Sequence, residues 1–256
     1  MTSLLRLFLL AILLLSGRFA SASLLSSISY FSCGTPCPTA VTSTVQDSSA
    51  LSFSDQYGAI FAQAGYGVLK ASVDSSYVSA PGGGFISMST GSSLAQFSDT
   101  FTLGGLSGSQ EVSVVLHFDG GLGSAGEETF GTSASMTIAL TVDGNYIALV
   151  ADFFGGLPEL QASASGAGLS GTFTLDYGVP ISLEALLQVS GTSGGFAHFG
   201  NTATLEFIVP EGTTIQSGSG TQYLATTTAV PEPATTALLL LGLAALAAAH
   251  HLYRRS

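Results

Sequence analysis

Apolar and polar residues alternate with a period of two through most of the chain between residues 23 and 229. The clearest runs, with an apolar residue at every second position, cover 112–118, 136–142, 173–177, 181–189 and 203–209. Further strand candidates cover 41–46, 56–73, 85–89 and 96–103. This alternation is typical of β-strands with one buried and one exposed face. No segment of this region shows a sustained helical period, so we expect an all-β domain.

Glycine and small polar residues separate these runs. Asp143-Gly144 lies between the run that ends at Val142 and the one that resumes at Tyr146, and Asp-Gly at such a point predicts a β-hairpin. Four Gly-rich stretches are predicted as loops, namely 80–84, 104–109, 120–126 and 163–171. About ten short strands with such turns predict a single antiparallel β-sandwich over residues 23–229. Jelly-roll and Ig-like connectivity both remain open.

The N-terminus has the layout of a secretory signal peptide. Arg6 precedes an unbroken apolar core over Leu7–Leu15, and Ala20-Ser21-Ala22 fits a cleavage site with small residues at Ala20 and Ala22. We therefore expect residues 1–22 to be removed after export by the Sec route. A retained N-terminal anchor is the alternative.

The C-terminus carries three features in a fixed order. They are the box Val230-Pro231-Glu232-Pro233, an uncharged run over 234–253, and the basic pair Arg254-Arg255. A helix over 234–253 would be about 30 Å long, the thickness of a hydrocarbon core. We predict a single transmembrane helix with the two arginines in the cytoplasm and the domain outside. An ordinary membrane anchor and a buried core helix are the alternatives.

This order of box, span and basic pair resembles the PEP-CTERM sorting signal of Gram-negative bacterial surface proteins. The resemblance covers about a tenth of the chain, residues 230–256. It implies that an exosortase, a membrane-embedded sorting peptidase, recognises the tail and cleaves near the Pro-Glu-Pro box. It also implies an exopolysaccharide or biofilm setting. Segments 63–73 and 196–220 resemble strand pairs of β-sandwich proteins with such tails, and neither brings a known catalytic residue.

Charge narrows the set of partners. Between the two terminal signals, Lys70 is the only basic residue against fifteen carboxylates, which gives a formal charge of −14. Nucleic-acid binding depends on Lys and Arg that neutralise phosphates, so nucleic acid is excluded as a partner. An anionic polysaccharide is disfavoured as well, unless divalent cations bridge it to the protein.

The only two cysteines are Cys33 and Cys37. In an exported chain, two cysteines separated by three residues favour a small disulfide loop near the mature N-terminus. Free or exchangeable thiols and a metal site are the alternatives. A metal site would need further ligands, and none lie nearby in the sequence.

Candidate chemistry in the domain is sparse. The histidines are His117 and His198, and no Gly-x-Ser-x-Gly element accompanies them. The candidate cation ligands are Glu127-Glu128, Asp143 with Asn145, and Asp119. Calcium needs six to eight oxygens, and no loop supplies a recognised set. We expect no enzyme and no cofactor, with a structural calcium ion as an open alternative.

These observations predict an exported, non-enzymatic protein of the cell surface or extracellular matrix, structural or adhesive in function. Its expected partners are an exosortase, the inner membrane before processing, and extracellular polysaccharide. A lectin-like carbohydrate-binding module is the first alternative, which a compact patch of Tyr, Asn and Asp side chains would favour. A secreted hydrolase is the second.

Overall fold

The computed structural model describes residues 22–33, 39–80, 84–124, 131–142, 145–155, 162–163, 167–192 and 194–228. Every regular element in these ranges is a β-strand. In chain order they are β1 Ser23–Cys33, β2 Thr39–Val45, β3 Leu51–Asp55, β4 Gly58–Gly65, β5 Val68–Ser75, β6 Tyr77–Ala80, β7 Gly84–Gly104, β8 Ser109–Phe118, β9 Gly121–Ser124, β10 Thr132–Val142, β11 Asn145–Gly155, β12 Ala162–Ser163, β13 Ala167–Asp176, β14 Pro180–Thr192, β15 Gly195–Pro210, β16 Thr214–Ser217 and β17 Leu224–Thr228. The described ranges hold no helix long and apolar enough to cross a membrane. Residues 1–21 and 229–256, with nearly all of the predicted signal peptide and the predicted span, lie outside them.

The strands form two sheets. Sheet A has eight strands in the order β11-β10-β14-β7-β1-β2, with β6 and β16 also on β7. Sheet B has nine strands in the order β12-β9-β15-β5-β4-β3, with β8 between β15 and β13 and with β17 on β15. The β15–β17 pair is parallel, and the other pairings are antiparallel. The predicted all-β, antiparallel sandwich is confirmed.

The core lies between the inward faces of the two sheets. Its largest fully buried side chains include Phe97 and Phe101 of sheet A and Leu69, Leu116 and Phe207 of sheet B. The rings of Phe101 and Phe207 meet across the interface with centroids 4.9 Å apart. Burial of apolar area at roughly 25 cal/mol per Å² is the main force that holds the sheets together.

Three sequence predictions of strand and loop limits are wrong. Segments 85–89 and 96–103 belong to one strand, the 21-residue β7. The predicted loop 120–126 contains β9, and the predicted loop 163–171 overlaps β13. These Gly-rich segments can still form strands, because the hydrogen bonds between strands use only backbone groups. At Gly171 a Cβ would lie 2.4 Å from Leu149 Cδ1, so the glycine permits the close approach of β11 and β13.

Other predictions agree with the structure. β10 and β11 form the predicted hairpin, with Val142 paired to Asn145, although Asp143-Gly144 lies outside the described residues. Segment 104–109 is the turn between β7 and β8. Cys33 ends β1 and is disulfide-bonded. Cys37 lies outside the described residues, so its pairing with Cys33 stays a prediction.

A carboxylate clamp at Asp55 of β3 connects sheet B to strand β1 of sheet A. Asp55 accepts hydrogen bonds from the Tyr30 hydroxyl at 2.8 Å, the Ser32 hydroxyl at 2.7 Å and the Tyr57 amide at 2.7 Å. Burial of Asp55 opposes a low pKa, but these donors outweigh burial and hold its pKa below the usual value. Burial, together with Asp55, raises the pKa of Tyr30 to about 12. The clamp therefore keeps a charged carboxylate against a neutral phenol.

Glu184 on the outward side of sheet A gives a pH-dependent prediction. Burial raises its pKa, and a hydrogen bond from the Gln96 amide opposes the rise. A carboxyl whose folded pKa is raised stabilises the fold at low pH, and that contribution is lost as pH rises through the folded value. We expect Glu184→Gln to raise the free energy of unfolding by about 1 kcal/mol at pH 7. The gain should vanish near pH 3, below the ordinary Glu value of 4.5.

Urea unfolding at both pH values measures this difference. The control is Glu111→Gln on the exposed side of β8, which should leave stability unchanged at pH 7. A Glu184→Gln protein that is less stable than the parent at pH 7 would contradict the assignment, because it would mean that the charged form stabilises the fold.

Candidate functional site

The segment that leads into the C-terminal tail is built into both sheets. We call residues 214–228 the C-terminal strap; it comprises β16, a turn and β17. β16 pairs with residues 101–104 of β7 in sheet A. β17 then crosses to sheet B and pairs in parallel with residues 206–210 of β15. The strap thus ties the two sheets together just before the predicted sorting box.

A second carboxylate clamp fixes the turn of the strap. Asp99 is fully buried at 0% exposure on the inward face of β7. Its Oδ1 accepts from the Ser219 amide at 3.0 Å and from the Thr100 amide at 2.7 Å. Its Oδ2 accepts from the Ser219 hydroxyl and from the Tyr223 hydroxyl, both at 2.6 Å. Four donors replace the water that a buried carboxylate has lost.

The ring of Tyr223 anchors the same turn by packing. It lies 5.5 Å from the Phe207 ring and 6.4 Å from the Phe97 ring, measured between centroids. Burial first, and then the bond to Asp99 and its charge, raise the pKa of Tyr223 well above its ordinary value. Tyr223 therefore stays protonated and donates to Asp99 at any physiological pH.

β17 is fastened from the outside by Glu206. The Thr226 hydroxyl donates to Glu206 Oε1, and His117 Nε2 lies 2.5 Å from Glu206 Oε2. The Thr226 bond first, and then His117, lower the pKa of Glu206. The Glu211 amide adds a backbone bond to the carbonyl oxygen of Thr228 at 3.0 Å. The strap is therefore held up to its last residue.

The other sequence-predicted histidine lies elsewhere on the outward side of sheet B. His198 Nε2 is 2.6 Å from Asp74 Oδ1, and its ring lies 5.1 Å from the Phe196 ring. His117 pairs with Thr204 across the ladder. On the neighbouring strand β5 the partners of Thr204 and His198 are Val68 and Ser72, which are four residues apart, so the two histidines lie about 13 Å apart along the sheet. The two histidines do not form one site.

His117 does not have the arrangement of an acyl-transfer triad. In that triad the imidazole lies between the hydroxyl and the carboxylate. Here Glu206 lies between the Thr226 hydroxyl and His117, so the carboxylate occupies the middle position. Both imidazoles are about half exposed on an open sheet surface. The Glu206 carboxylate thus links Thr226 of β17 to His117 of β8.

Of the five candidate cation ligands, only Asp119 and Asn145 lie in the described residues. Glu127, Glu128 and Asp143 lie outside the described residues. Asp119 is exposed after the end of β8, and Asn145 begins β11. In the described ranges no three His, Cys, Asp or Glu side chains cluster closely enough to hold a metal ion.

A groove of about 510 Å³ separates the edges of the two sheets at β11 and β13. Its lining is mostly apolar and comprises Val142, Asn145, Ile147, Leu149, Gly171, Thr172, Phe173, Thr174 and Leu175. None of these side chains titrates. The groove can hold an apolar group, and the described residues that line it offer no acid, base or nucleophile other than threonine hydroxyls.

Sequence reasoning missed the Asp99 clamp, although a signal for it exists. In the run Phe97, Asp99, Phe101 the acid occupies the apolar phase of the strand. A carboxylate in that phase is expected to be buried and to need several donors. The donors Ser219 and Tyr223 are more than a hundred residues away, and no local pattern identifies them.

The sequence comparison identifies the tail. Residues 229–255 match the PEP-CTERM protein-sorting motif. No curated protein matches the chain. The matched range starts at the residue that follows β17, so the motif begins where the strap ends. A motif of this kind implies an exported protein.

Solved structures give only distant similarity. A TmCBM61 structure with β-1,4-galactotriose is 10% identical over 61% of this chain and 86% of its own, at a TM-score of 0.23. The enzymatically active domain of bacteriophage CBA120 tailspike protein 4 is 14% identical over 70% of this chain and 19% of its own, at 0.20. A carbohydrate-binding module of the β-sandwich superfamily is 9% identical. The match covers 70% of this chain and 85% of the module, at a TM-score of 0.17. Scores this low transfer neither a topology nor a ligand.

Proposed function

We propose that this chain, which carries a PEP-CTERM sorting signal, is an exported, non-enzymatic protein of the cell surface or extracellular matrix with a structural or adhesive role. The observation that carries the proposal is the junction at residues 228 and 229. There a fastened strand ends and the sorting motif begins without a linker. The folded domain is thus the cargo, and the tail is its delivery signal.

The junction sets a short distance between cargo and membrane. Residues 229–233 separate β17 from the predicted span 234–253, and five extended residues cover at most about 17 Å. Pro231 and Pro233 favour an extended, stiff connection. Before processing, the domain would therefore lie against the outer side of the inner membrane. An exosortase would recognise the tail there and release the domain to the cell surface or the matrix.

Cell fractionation with intact-mass measurement tests this proposal. We expect the mature full-length chain to lose both predicted signals and to appear at the surface or in the medium. A variant that ends at Thr228 should be exported without passing through a membrane-bound form. Recovery of the wild-type chain in the inner membrane, with residues 230–256 still attached, would show an ordinary anchor and overturn the sorting role.

The second candidate function is carbohydrate binding, and the outward side of sheet B supports it. Ser72 of β5 lies between Phe61 of β4 and His198 of β15 in the ladder. The next row places Asp74 opposite Phe196. Aromatic faces beside a hydrogen-bonding imidazole and carboxylate suit a sugar ring. The expected mixture of Tyr, Asn and Asp is replaced here by Phe, His and Asp. The domain's charge of −14 favours a neutral polysaccharide.

We expect Phe196→Ala to weaken retention on a neutral polysaccharide about tenfold, which corresponds to about 1.4 kcal/mol. Affinity electrophoresis in gels that contain matrix polysaccharide measures this change. The control is Leu224→Ala, which removes an exposed apolar side chain of β17, outside this patch. Equal losses in both variants, or no retention of the parent protein, would remove this candidate.

The hydrolase alternative has a direct test of its own. Three variants replace His117, His198, or Glu127 together with Glu128 by alanine. If the protein is non-enzymatic, any hydrolytic activity measured in its preparations should be unchanged in all three. Loss of the activity in one of these variants, with folding retained, would support the hydrolase instead.

A further inference from the structure

Strand β11 forms one edge of sheet A. It runs over Asn145–Gly155 and pairs with β10 along its whole length. In the part of the chain that the structure describes, no strand pairs with its other side. Alternate residues of an edge strand direct their N–H and C=O groups away from the sheet. Such a row is a template for another strand, and proteins usually block it with Lys, Pro or a bulge.

β11 lacks these protections. Its eleven residues include no Lys and no Pro, and Asp152 is their only charged residue. Tyr146, Ile147 and Val150 are 50%, 44% and 55% exposed. They are three of the four large apolar side chains exposed to this degree among the side chains that the structure describes. At the opposite edge of sheet A, β2 has Thr or Ser at four of its seven positions.

We propose that β11 is a self-association edge, where two copies of this chain pair in antiparallel fashion and join their A sheets. This self-association is independent of how the C-terminal tail directs export and sorting. A polypeptide strand is the occupant because the edge offers a row of backbone donors and acceptors. Side chains then distinguish one polypeptide from another, and this strand is complementary to itself.

One register shows that complementarity. When Ala148 of one copy lies opposite Ala148 of the other, Tyr146 of each copy lies opposite Val150 of the other. Aromatic and β-branched residues are favourable cross-strand pairs. Asp152 then falls beyond the paired segment in both copies, so no two carboxylates face each other. In this register the two residues of every pair have the same phase along the strand. An antiparallel ladder between two copies of one strand requires this.

The absence of charge makes this edge the least repulsive approach for a second copy. The domain carries one lysine against fifteen carboxylates, so two copies repel each other over most of their surfaces. The stretch from Asn145 to Val150 has no charge and is exposed at five of its six positions. It is therefore a place where an equally acidic partner can approach.

Sedimentation velocity on the full-length chain in mild detergent tests the edge. We expect a concentration-dependent dimer, which Val150→Lys weakens at least tenfold. The matched control is Leu224→Lys on β17, which puts the same charge in place of another exposed apolar side chain, 60% exposed, and should leave the dimer intact. A monomeric parent chain, or a dimer that Val150→Lys does not weaken, overturns the proposal.

Cysteine cross-linking tests the register. Ala148→Cys should form a disulfide-linked dimer under mild oxidation, because residue 148 faces itself. Tyr146→Cys alone should not, but a mixture of Tyr146→Cys and Val150→Cys proteins should form a mixed dimer. A dimer in which Ala148→Cys fails to cross-link while Tyr146→Cys cross-links to itself overturns this pairing.

Discussion

Asp99→Ala is expected to lower the free energy of unfolding by about 3–5 kcal/mol. The carboxylate is fully buried and accepts four hydrogen bonds. Alanine leaves those donors without an acceptor, and each unsatisfied buried donor costs about 1–3 kcal/mol before relaxation. It also opens space beside the Tyr223 ring. A loss of this size would remove a large part of the stability of a single domain.

Two partial variants separate the charge from the bonds. Asp99→Asn keeps one acceptor oxygen but turns an amide N–H₂ towards donors, so we expect a loss close to that of alanine. Tyr223→Phe removes one donor and keeps the ring, and should cost about 1–2 kcal/mol. Asp119→Asn, at an exposed position, is the control and should be neutral. Urea unfolding of the four variants gives the order; a neutral Asp99→Ala would contradict the clamp.

The same variants should act on the strap before they act on the whole domain. Ser219 and Tyr223 connect the strap to Asp99, whereas β17 itself is an exposed edge strand. Without the clamp, residues 218–228 should open locally, because only the packing of the Tyr223 ring and the surface contacts of β17 then hold them. Limited proteolysis should then cut within this segment under conditions in which the parent protein stays intact.

Alternation along single strands was enough to predict the sheets. In 181–189 and 203–209 the apolar phase of the sequence is the buried phase of β14 and β15. A buried face requires that phase whichever strand lies beside it, so the signal is local. Pairing partners are not local. Pattern alone therefore left jelly-roll and Ig-like connectivity open, and it could not place β17 in parallel beside β15.

Glycine hid several strands for a related reason. β9 and the first half of β13 are rich in Gly and small residues, which are typical of loops. At Gly171 the residue is selected by the approach of Leu149 from the other sheet, not by a turn. Sequence alone does not distinguish a glycine needed for positive φ from one needed for space.

For the candidate site, the sequence predicted the tail but not its attachment. The motif at 229–255 is a contiguous pattern and can be recognised without a fold. His117 was singled out as a candidate catalyst, yet its carboxylate partner comes from a strand eighty-nine residues later and fastens Thr226 as well. The imidazole of His117 suggested catalysis from the sequence. Its neighbours in the fold suggest that it helps to attach the strap.

Gly105→Ala is expected to be the most damaging glycine substitution in the turn between β7 and β8. Gly105 has a φ of +92°, and a Cβ there would lie 2.0 Å from the carbonyl oxygen of Gly212. The left-handed conformation alone costs a non-glycine residue about 1–2 kcal/mol. The backbone contact has no flexible side chain that can move aside, so the β15–β16 turn must shift. We expect a loss of about 3 kcal/mol or more.

Gly108→Ala in the same turn is the matched control. Its φ is +78°, but nothing lies within 4 Å of the added Cβ, so only the conformational cost of about 1–2 kcal/mol applies. Thermal and urea unfolding of the two variants give the difference directly. Equal losses would mean that positive φ explains both and that the contact with Gly212 does not constrain the fold. A larger loss at Gly105 would show that the β7–β8 turn supports the turn where the C-terminal strap begins.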